Sequence, residues 1–220
     1  MTQKKKLLTA IVCLLVMSVT VMGTLAWLTD RDEVVNTFTV GNVDIMVDEE
    51  HVNKDGTPTG TGRVDKNEYH LIPGCDYTKD PTMTVKADSV ESYVRMILTV
   101  HNASGVQNII DKYSLGDFSA LIDGWDESIW QYRGYTEDTT KNTISFEFRY
   151  HEKVPATEEN VTLKALFTTL KVPGQMTGSE LQELQENGFK MSIVGHAIQT
   201  AGFNNDVEAA WAAFDAQVNP

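Results

Sequence analysis

The side chains most able to carry out chemistry are the histidines, and their spacing is not that of a metalloenzyme. They are dispersed through the chain: His51, His70, His101, His151 and His196. There is no His-Glu-x-x-His sequence, which would place two zinc ligands on one face of a helix. We therefore predict no catalytic residue and no bound cofactor, with a zinc site assembled from distant residues as the alternative.

Acidic residues form a second group that could bind an ion. They flank or interrupt a polar stretch at residues 53–67: Asp48, Glu49, Glu50, Asp55 and Asp65. Calcium takes several oxygen ligands from close positions, but the glutamate that closes an EF-hand loop is missing. We predict an exposed loop over residues 53–67, and a calcium site is the alternative.

An aromatic run at residues 124–135 could contact a ligand or a partner. It contains Trp125, Trp130, Tyr132 and Tyr135. Exposed aromatic rings stack on sugars or anchor partner proteins. The other interpretation is a β-hairpin that turns these rings towards the core.

The N-terminus has the three parts of a secretory signal peptide. Lys4, Lys5 and Lys6 precede an uncharged apolar run at residues 7–21. Thr24 and Ala26 place small residues at positions −3 and −1 of a cut before Trp27. We predict a signal peptide over residues 1–26. A retained membrane anchor is the alternative, because residues 7–28 are long enough to span a bilayer.

The net charge and the cysteine content of the chain change when the predicted signal peptide is removed. Removing residues 1–26 removes three lysines and no acids, so the net charge goes from −13 to −16. So acidic a chain lacks the basic surface that binds nucleic acid. Cys13 leaves with the signal segment and Cys75 is then the one cysteine, so stability must come from packing. We expect one domain over residues 27–220.

Strand signals dominate this domain. Apolar and β-branched residues alternate with polar ones in four segments, residues 43–47, 94–100, 144–150 and 189–193. A shorter alternation includes Met83 and Val85. Turn sequences such as Pro73-Gly74 and Pro173-Gly174 separate the strands. The pattern predicts a mainly β fold, a single antiparallel β-sandwich with two or three short peripheral helices.

Two helices have clear sequence signals. Thr177 and Glu180 have the spacing of a capping box that opens a helix ending near Asn187. A C-terminal helix is predicted over residues 205–218, with its apolar residues on one face: Val207, Trp211, Phe214 and Val218. A short helix near residues 106–112 is the third.

Both ends of the chain resemble a known family. The segment Ala26-Trp27-Leu28-Thr29-Asp30, followed by the strand Phe38-Thr39-Val40-Gly41-Asn42-Val43-Asp44-Ile45, is similar to the TasA and camelysin family of Gram-positive bacteria. The motif around Glu208-Ala209-Ala210-Trp211 resembles the end of many members. The resemblance implies processing by a SipW-type signal peptidase, a jelly-roll-like sandwich and a role as a matrix or surface fibre subunit. Camelysin is named as a metalloprotease, but no matching zinc motif occurs here.

We therefore predict a secreted structural protein of the cell surface or biofilm matrix. Its partners would be the signal peptidase during export and then other copies or other matrix proteins. It would meet a membrane only through an uncleaved N-terminal segment. The alternatives are a camelysin-like metallo-endopeptidase and a monomeric adhesin or binding module.

Assembly would use the segment at residues 27–37. Trp27, Leu28, Val34 and Val35 give it apolar side chains. An extended segment freed by signal cleavage can add a strand to the sheet of a neighbouring copy. We expect the segment to become ordered only when it pairs with such a neighbour.

The cleavage site gives a first prediction. Ala26→Lys should block processing, because a long cation does not fit the small-residue pocket of a signal peptidase. Electrophoresis and N-terminal sequencing should find a secreted chain that begins at Trp27 in the parent and an uncut chain in the variant. A parent that starts elsewhere, or stays full-length, would contradict the assignment.

Overall fold

The structure is a computed structural model that describes residues Thr29–Asp32 and 43–218. Twelve strands lie in these residues, and they account for most of the regular structure. In chain order they are β1 Thr29–Asp32, β2 Ile45–Val52, β3 Pro58–Val64, β4 Asp76–Thr78, β5 Thr82–Val85, β6 Ser92–His101, β7 Ile122–Asp123, β8 Trp130–Asp138, β9 Thr143–Tyr150, β10 Val161–Thr162, β11 Thr169–Lys171 and β12 Lys190–Gln199. The three α-helices in this part of the chain are α1 Ala103–Tyr113, α2 Gly178–Glu186 and α3 Val207–Val218, and a short 3-10 helix spans Phe118–Leu121.

Two antiparallel sheets form the predicted sandwich. The larger has the strand order β1-β12-β6-β9-β8, and the smaller has the order β10-β5-β2-β3. Side chains from both fill one core, for example Met83 and Val85 from the smaller sheet and Met96 and Phe148 from the larger. The sheets approach closely at Gly195, where an added Cβ would lie 2.5 Å from Val47 Cγ2. The alternating apolar residues of the sequence therefore mark the inner faces correctly.

The predicted loop at residues 53–67 is partly wrong. Residues Pro58–Val64 form β3, which pairs with β2 at the edge of the smaller sheet. An edge strand exposed on both faces needs main-chain hydrogen bonds and no apolar side chains. A pattern of buried residues therefore could not identify it.

A second core lies at one end of the sandwich. A three-stranded sheet of order β4-β11-β7 packs there with α1 and α2, as buried Tyr77, Ile110, Leu170 and Leu184 indicate. Helix α2 begins with the predicted capping box, since Thr177 and Glu180 each bond the backbone of the other. Three helices, as expected, therefore lie at the periphery of a β-sandwich.

Helix α3 covers the outer face of the larger sheet. Trp211 and Phe214 are fully buried against Tyr93 and Ile198. Beneath the helix lies Arg95, whose guanidinium group is 4.5 Å from the ring centre of Trp211 and 5.0 Å from that of Phe214. The predicted apolar stripe of the C-terminal helix therefore docks on a sheet that also carries a buried charge.

This packing gives a second prediction, because Trp211 is only 1% exposed. Removing a large buried aromatic side chain costs about 3–5 kcal/mol. Trp211→Ala should therefore lower the melting temperature by on the order of 10 °C for a domain of this size. Circular dichroism during heating measures the shift. Ala212→Ser, on the exposed face of α3, is the control and should change stability by less than about 0.5 kcal/mol. Equal melting curves for both variants would show that α3 is not docked.

Candidate functional site

The aromatic run identified in the sequence lies largely in the hairpin of β8 and β9. Tyr132 is opposite Phe148, and Tyr135 is opposite Phe146. Residues three apart on a strand normally face opposite sides, but a bulge between Tyr132 and Gly134 adds one residue. Gly134 has a φ of 127°, a backbone conformation that favours glycine. The bulge therefore brings Tyr132 and Tyr135 to the same, inner face of the larger sheet.

Trp130 does not belong to an exposed contact surface. It is 1% exposed, and its Nε1 donates a hydrogen bond to the carbonyl of Lys164 at 2.9 Å. Trp125 is half-buried and donates from its Nε1 to the carbonyl of Trp130 at 2.8 Å. The inclusion of Trp130 among the partner contacts is therefore corrected: its ring is part of the core. Both tryptophans satisfy their N–H groups internally, as buried indoles usually do.

The other rings line an open groove of about 560 Å³ on this face. Besides Phe189, six aromatic side chains that contact one another line it: Phe118, Trp125, Tyr132, Tyr135, Phe146 and Phe148. The rings form one continuous array, with centres 5.4 Å apart for Phe118 and Phe146 and 5.6 Å apart for Trp125 and Phe148. Tyr132 and Tyr135 stand at its open side, 38% and 58% exposed. A cavity of this size and lining is typical of small-ligand sites.

The charged residues that line the groove are all acidic. They are Asp117, Glu127 and Glu137, and among the described residues no Lys, Arg or His lines it. Hydrogen bonds from the side chain and backbone of Ser119 lower the pKa of Asp117, so this carboxylate is ionised at neutral pH. Burial raises the pKa of Tyr132, and the nearby Tyr135 and Asp117 raise it further, so its phenol stays neutral. The groove therefore combines neutral rings with a negative rim.

Sequence reasoning missed most of this groove. Phe118 and Asp117 precede the aromatic run by several residues, and the alternation that contains Phe146 and Phe148 predicts only a strand. Their convergence depends on the pairing of β8 with β9 and on the fold of the segment before Trp125. The spacing of aromatic residues across the hairpin is the one sequence signal that could have identified it.

The acidic residues near β2 do not converge on one point. Arg63 binds Asp48 at 2.5 Å and Asp80 at 2.7 Å, and Lys79 binds Glu49 at 2.6 Å within the protein interior. Each of these carboxylates is thus neutralised by a cation of the same chain. Asp55 accepts hydrogen bonds from Thr57 in its own turn, which lower its pKa.

The histidines are also apart from one another. His51 contacts Thr61, His101 contacts Ser192, and His196 accepts from Arg95 Nε at 3.1 Å. Within residues 29–32 and 43–218, no three His, Cys, Asp or Glu side chains lie close enough together to hold a metal ion. The described residues therefore do not fit a zinc centre, and we assign no metal-dependent step to them.

Part of the predicted assembly segment is ordered within the chain itself. Strand β1 pairs antiparallel with β12, with Thr29 opposite Ile198 and Asp32 opposite Gly195. The expectation that these residues order only against a neighbour does not hold for Thr29–Asp32. The predicted cleavage residues Thr24, Ala26 and Trp27, and the apolar residues Leu28, Val34 and Val35, lie outside the described residues.

The family comparison covers this same N-terminal part. Residues 2–55 match the family model described as camelysin metallo-endopeptidase. This similarity to the camelysin family is confined to 54 of the 220 residues, at the N-terminal end of the chain. The camelysin match contains β1 and β2 and ends before β3, so the aromatic groove lies outside it.

The other comparisons add no relative. No curated protein and no solved structure is significantly similar to the chain. In the part that the structure describes, no helix is both long and apolar enough to cross a membrane. The groove and the β1–β12 edge are therefore interpreted from their own geometry.

Proposed function

We propose that this chain is a secreted structural protein of the cell surface or extracellular matrix, whose copies assemble by strand addition. The signal-peptide pattern of residues 1–26 supports export, with a SipW-type peptidase as the processing enzyme. The camelysin match spans that pattern and the first two strands. The acidic surface favours a role outside nucleic-acid binding.

The observation that carries the proposal is the position of β1. This strand of four residues lies at the edge of the larger sheet, directly after the proposed cleavage site. Residues 33–42 join it to β2 in the other sheet. A short terminal strand that binds an edge through main-chain hydrogen bonds can leave its own sheet and bind the same edge of another copy.

Such an exchange changes little in free energy per contact, because the same residue pairs form between chains as within one. If each copy gives its strand to the next, the contact is head-to-tail and does not close, which produces a filament. The net charge of −16 after cleavage opposes the approach of two copies. Salt or a divalent cation such as calcium would screen this repulsion and speed assembly.

The alternatives remain distinct in what they predict. A metallo-endopeptidase is favoured by the name of the matching family. A monomeric binding module is favoured by the aromatic groove. Sedimentation at micromolar concentration separates that module, which stays monomeric, from a subunit that assembles.

Strand exchange can be tested by disulfide trapping. Asp30 lies opposite Ala197, and directly paired residues on antiparallel strands are at a distance that a disulfide can bridge. In chains carrying Cys75→Ser, we expect a mixture of the Asp30→Cys and Ala197→Cys variants to form disulfide-linked dimers under assembly conditions. Gel electrophoresis without reductant detects them.

Ala212→Cys on the exposed face of α3 is the control partner for Asp30→Cys, and it should give no dimer. The double variant Asp30→Cys/Ala197→Cys should close a bond within one chain at high dilution. If the mixture never links at any salt or calcium concentration, while the double variant does, β1 stays in its own chain and strand exchange is wrong.

Zinc dependence separates the structural protein from the peptidase. Because the described residues contain no cluster of metal ligands, chelation should leave the melting temperature and the assembly of the purified protein unchanged. Metal analysis and a casein-cleavage assay accompany the measurement. Stoichiometric zinc together with chelator-sensitive cleavage would favour the peptidase instead.

A further inference from the structure

The aromatic groove combines exposed rings with acidic side chains, a combination that does not depend on whether the chain assembles. Tyr132 and Tyr135 are two of only four large hydrophobic residues exposed in the described part of the chain. Both are at the same opening. Exposed aromatic residues gathered at a concave surface, rather than scattered, are characteristic of a binding site.

Two of the rim carboxylates, Glu127 and Glu137, have no cation beside them. Asp48, Glu49 and Asp80 are paired with Arg63 or Lys79. The side chains of Glu127 and Glu137, in contrast, make no hydrogen bond or ion pair with any described residue. The groove thus holds negative charge that the protein itself leaves uncompensated.

Aromatic faces and carboxylates attract the same kind of ligand. The face of an aromatic ring is negative because of its quadrupole and attracts a cation within about 6 Å of its centre. Carboxylates at the rim add a Coulomb attraction of the same sign. An anion would be repelled by both. A neutral apolar molecule would gain apolar contact with the rings but no attraction from the carboxylates.

We propose that this groove binds an organic ammonium ion, a cation whose substituents are apolar. The substituents would lie on Phe146 and Phe148 at the floor, and the ammonium centre would lie beside Tyr135 and the carboxylate of Glu137, which is two residues further along β8 on the same face. The volume of about 560 Å³ leaves room for an apolar body larger than a methyl group.

A pair of isosteric probes isolates the charge. Choline and 3,3-dimethylbutan-1-ol have the same shape, but choline has a positively charged nitrogen where the alcohol has a neutral carbon. The full chain is expressed in cells, and the protein purified from them is titrated with each probe by NMR. We expect choline to bind at least about fivefold more tightly than 3,3-dimethylbutan-1-ol. Benzyltrimethylammonium, with a larger apolar body, should bind more tightly than choline. Benzenesulfonate, an anion, should not bind.

Variants locate the binding to the groove. Tyr135→Ala should weaken benzyltrimethylammonium binding at least about threefold, whereas Tyr135→Phe should retain it, because the ring and not the hydroxyl attracts the cation. Glu137→Gln should weaken the binding of the ammonium probes and leave the binding of 3,3-dimethylbutan-1-ol unchanged. Glu158→Gln, an exposed carboxylate outside the groove, is the matched control. Tyr135 is more than half exposed, so its substitution leaves the core intact, and an unchanged melting curve verifies this.

Several results would overturn the inference. Equal binding of choline and its neutral isostere would mean that the groove selects shape alone. Tighter binding of a neutral oligosaccharide such as chitotetraose would assign the rings to sugar stacking. Absence of ammonium binding, or binding that Tyr135→Ala leaves unchanged, would remove the site. None of these outcomes bears on strand exchange, which the disulfide experiment tests separately.

Discussion

The buried guanidinium group of Arg95 is the interaction on which the arrangement of the larger sheet depends. Arg95 lies on the central strand β6 and is 4% exposed, so its charge must be compensated inside the protein. The carboxylate of Asp215 on α3 binds the guanidinium group, and the carboxylate of Glu147 on β9 lies 3.5 Å from it. His196 on β12 accepts a hydrogen bond from Arg95 Nε. One side chain thus connects three strands with the helix. Because removing a partner of a buried charge is strongly destabilising, this network holds α3 in one position.

The central strands of the larger sheet are covered on both faces, which limits where the sheet can bind a partner or ligand. Helix α3 shields the outer face of β6 and β12, and the smaller sheet covers much of the inner face. What remains accessible in the larger sheet is its periphery: the β1–β12 edge on one side and the aromatic groove beside β8 on the other. Both candidate sites therefore lie where the sandwich is incomplete, which is also where backbone edges and aromatic rings can meet a partner.

The sequence indicated the parts of this fold that rest on local signals. Alternation identified β6, β9 and β12, and the spacing of Thr177 and Glu180 identified the start of α2. It could not indicate β3, whose stability comes from pairing with β2 and not from buried side chains. Nor could it separate Trp130 from Tyr132, since both are aromatic residues of one strand. Which ring is buried depends on Lys164 and the remote segment that closes over the hairpin.

The two partners of the β1–β12 contact are held with very different strength. Strand β12 pairs with β6 along all ten of its residues and carries Ile198 and His196 beneath α3. Strand β1 pairs along four residues, and among the described residues no second strand lies on its other side. The free energy of opening therefore differs between them, because short edge elements open locally while core strands open only with the whole domain. In any exchange between copies β1 must be the element that moves and β12 the fixed acceptor. If copies exchange β1 as proposed, the network around Arg95 would support assembly indirectly, because it keeps the acceptor edge in the geometry that an incoming strand requires.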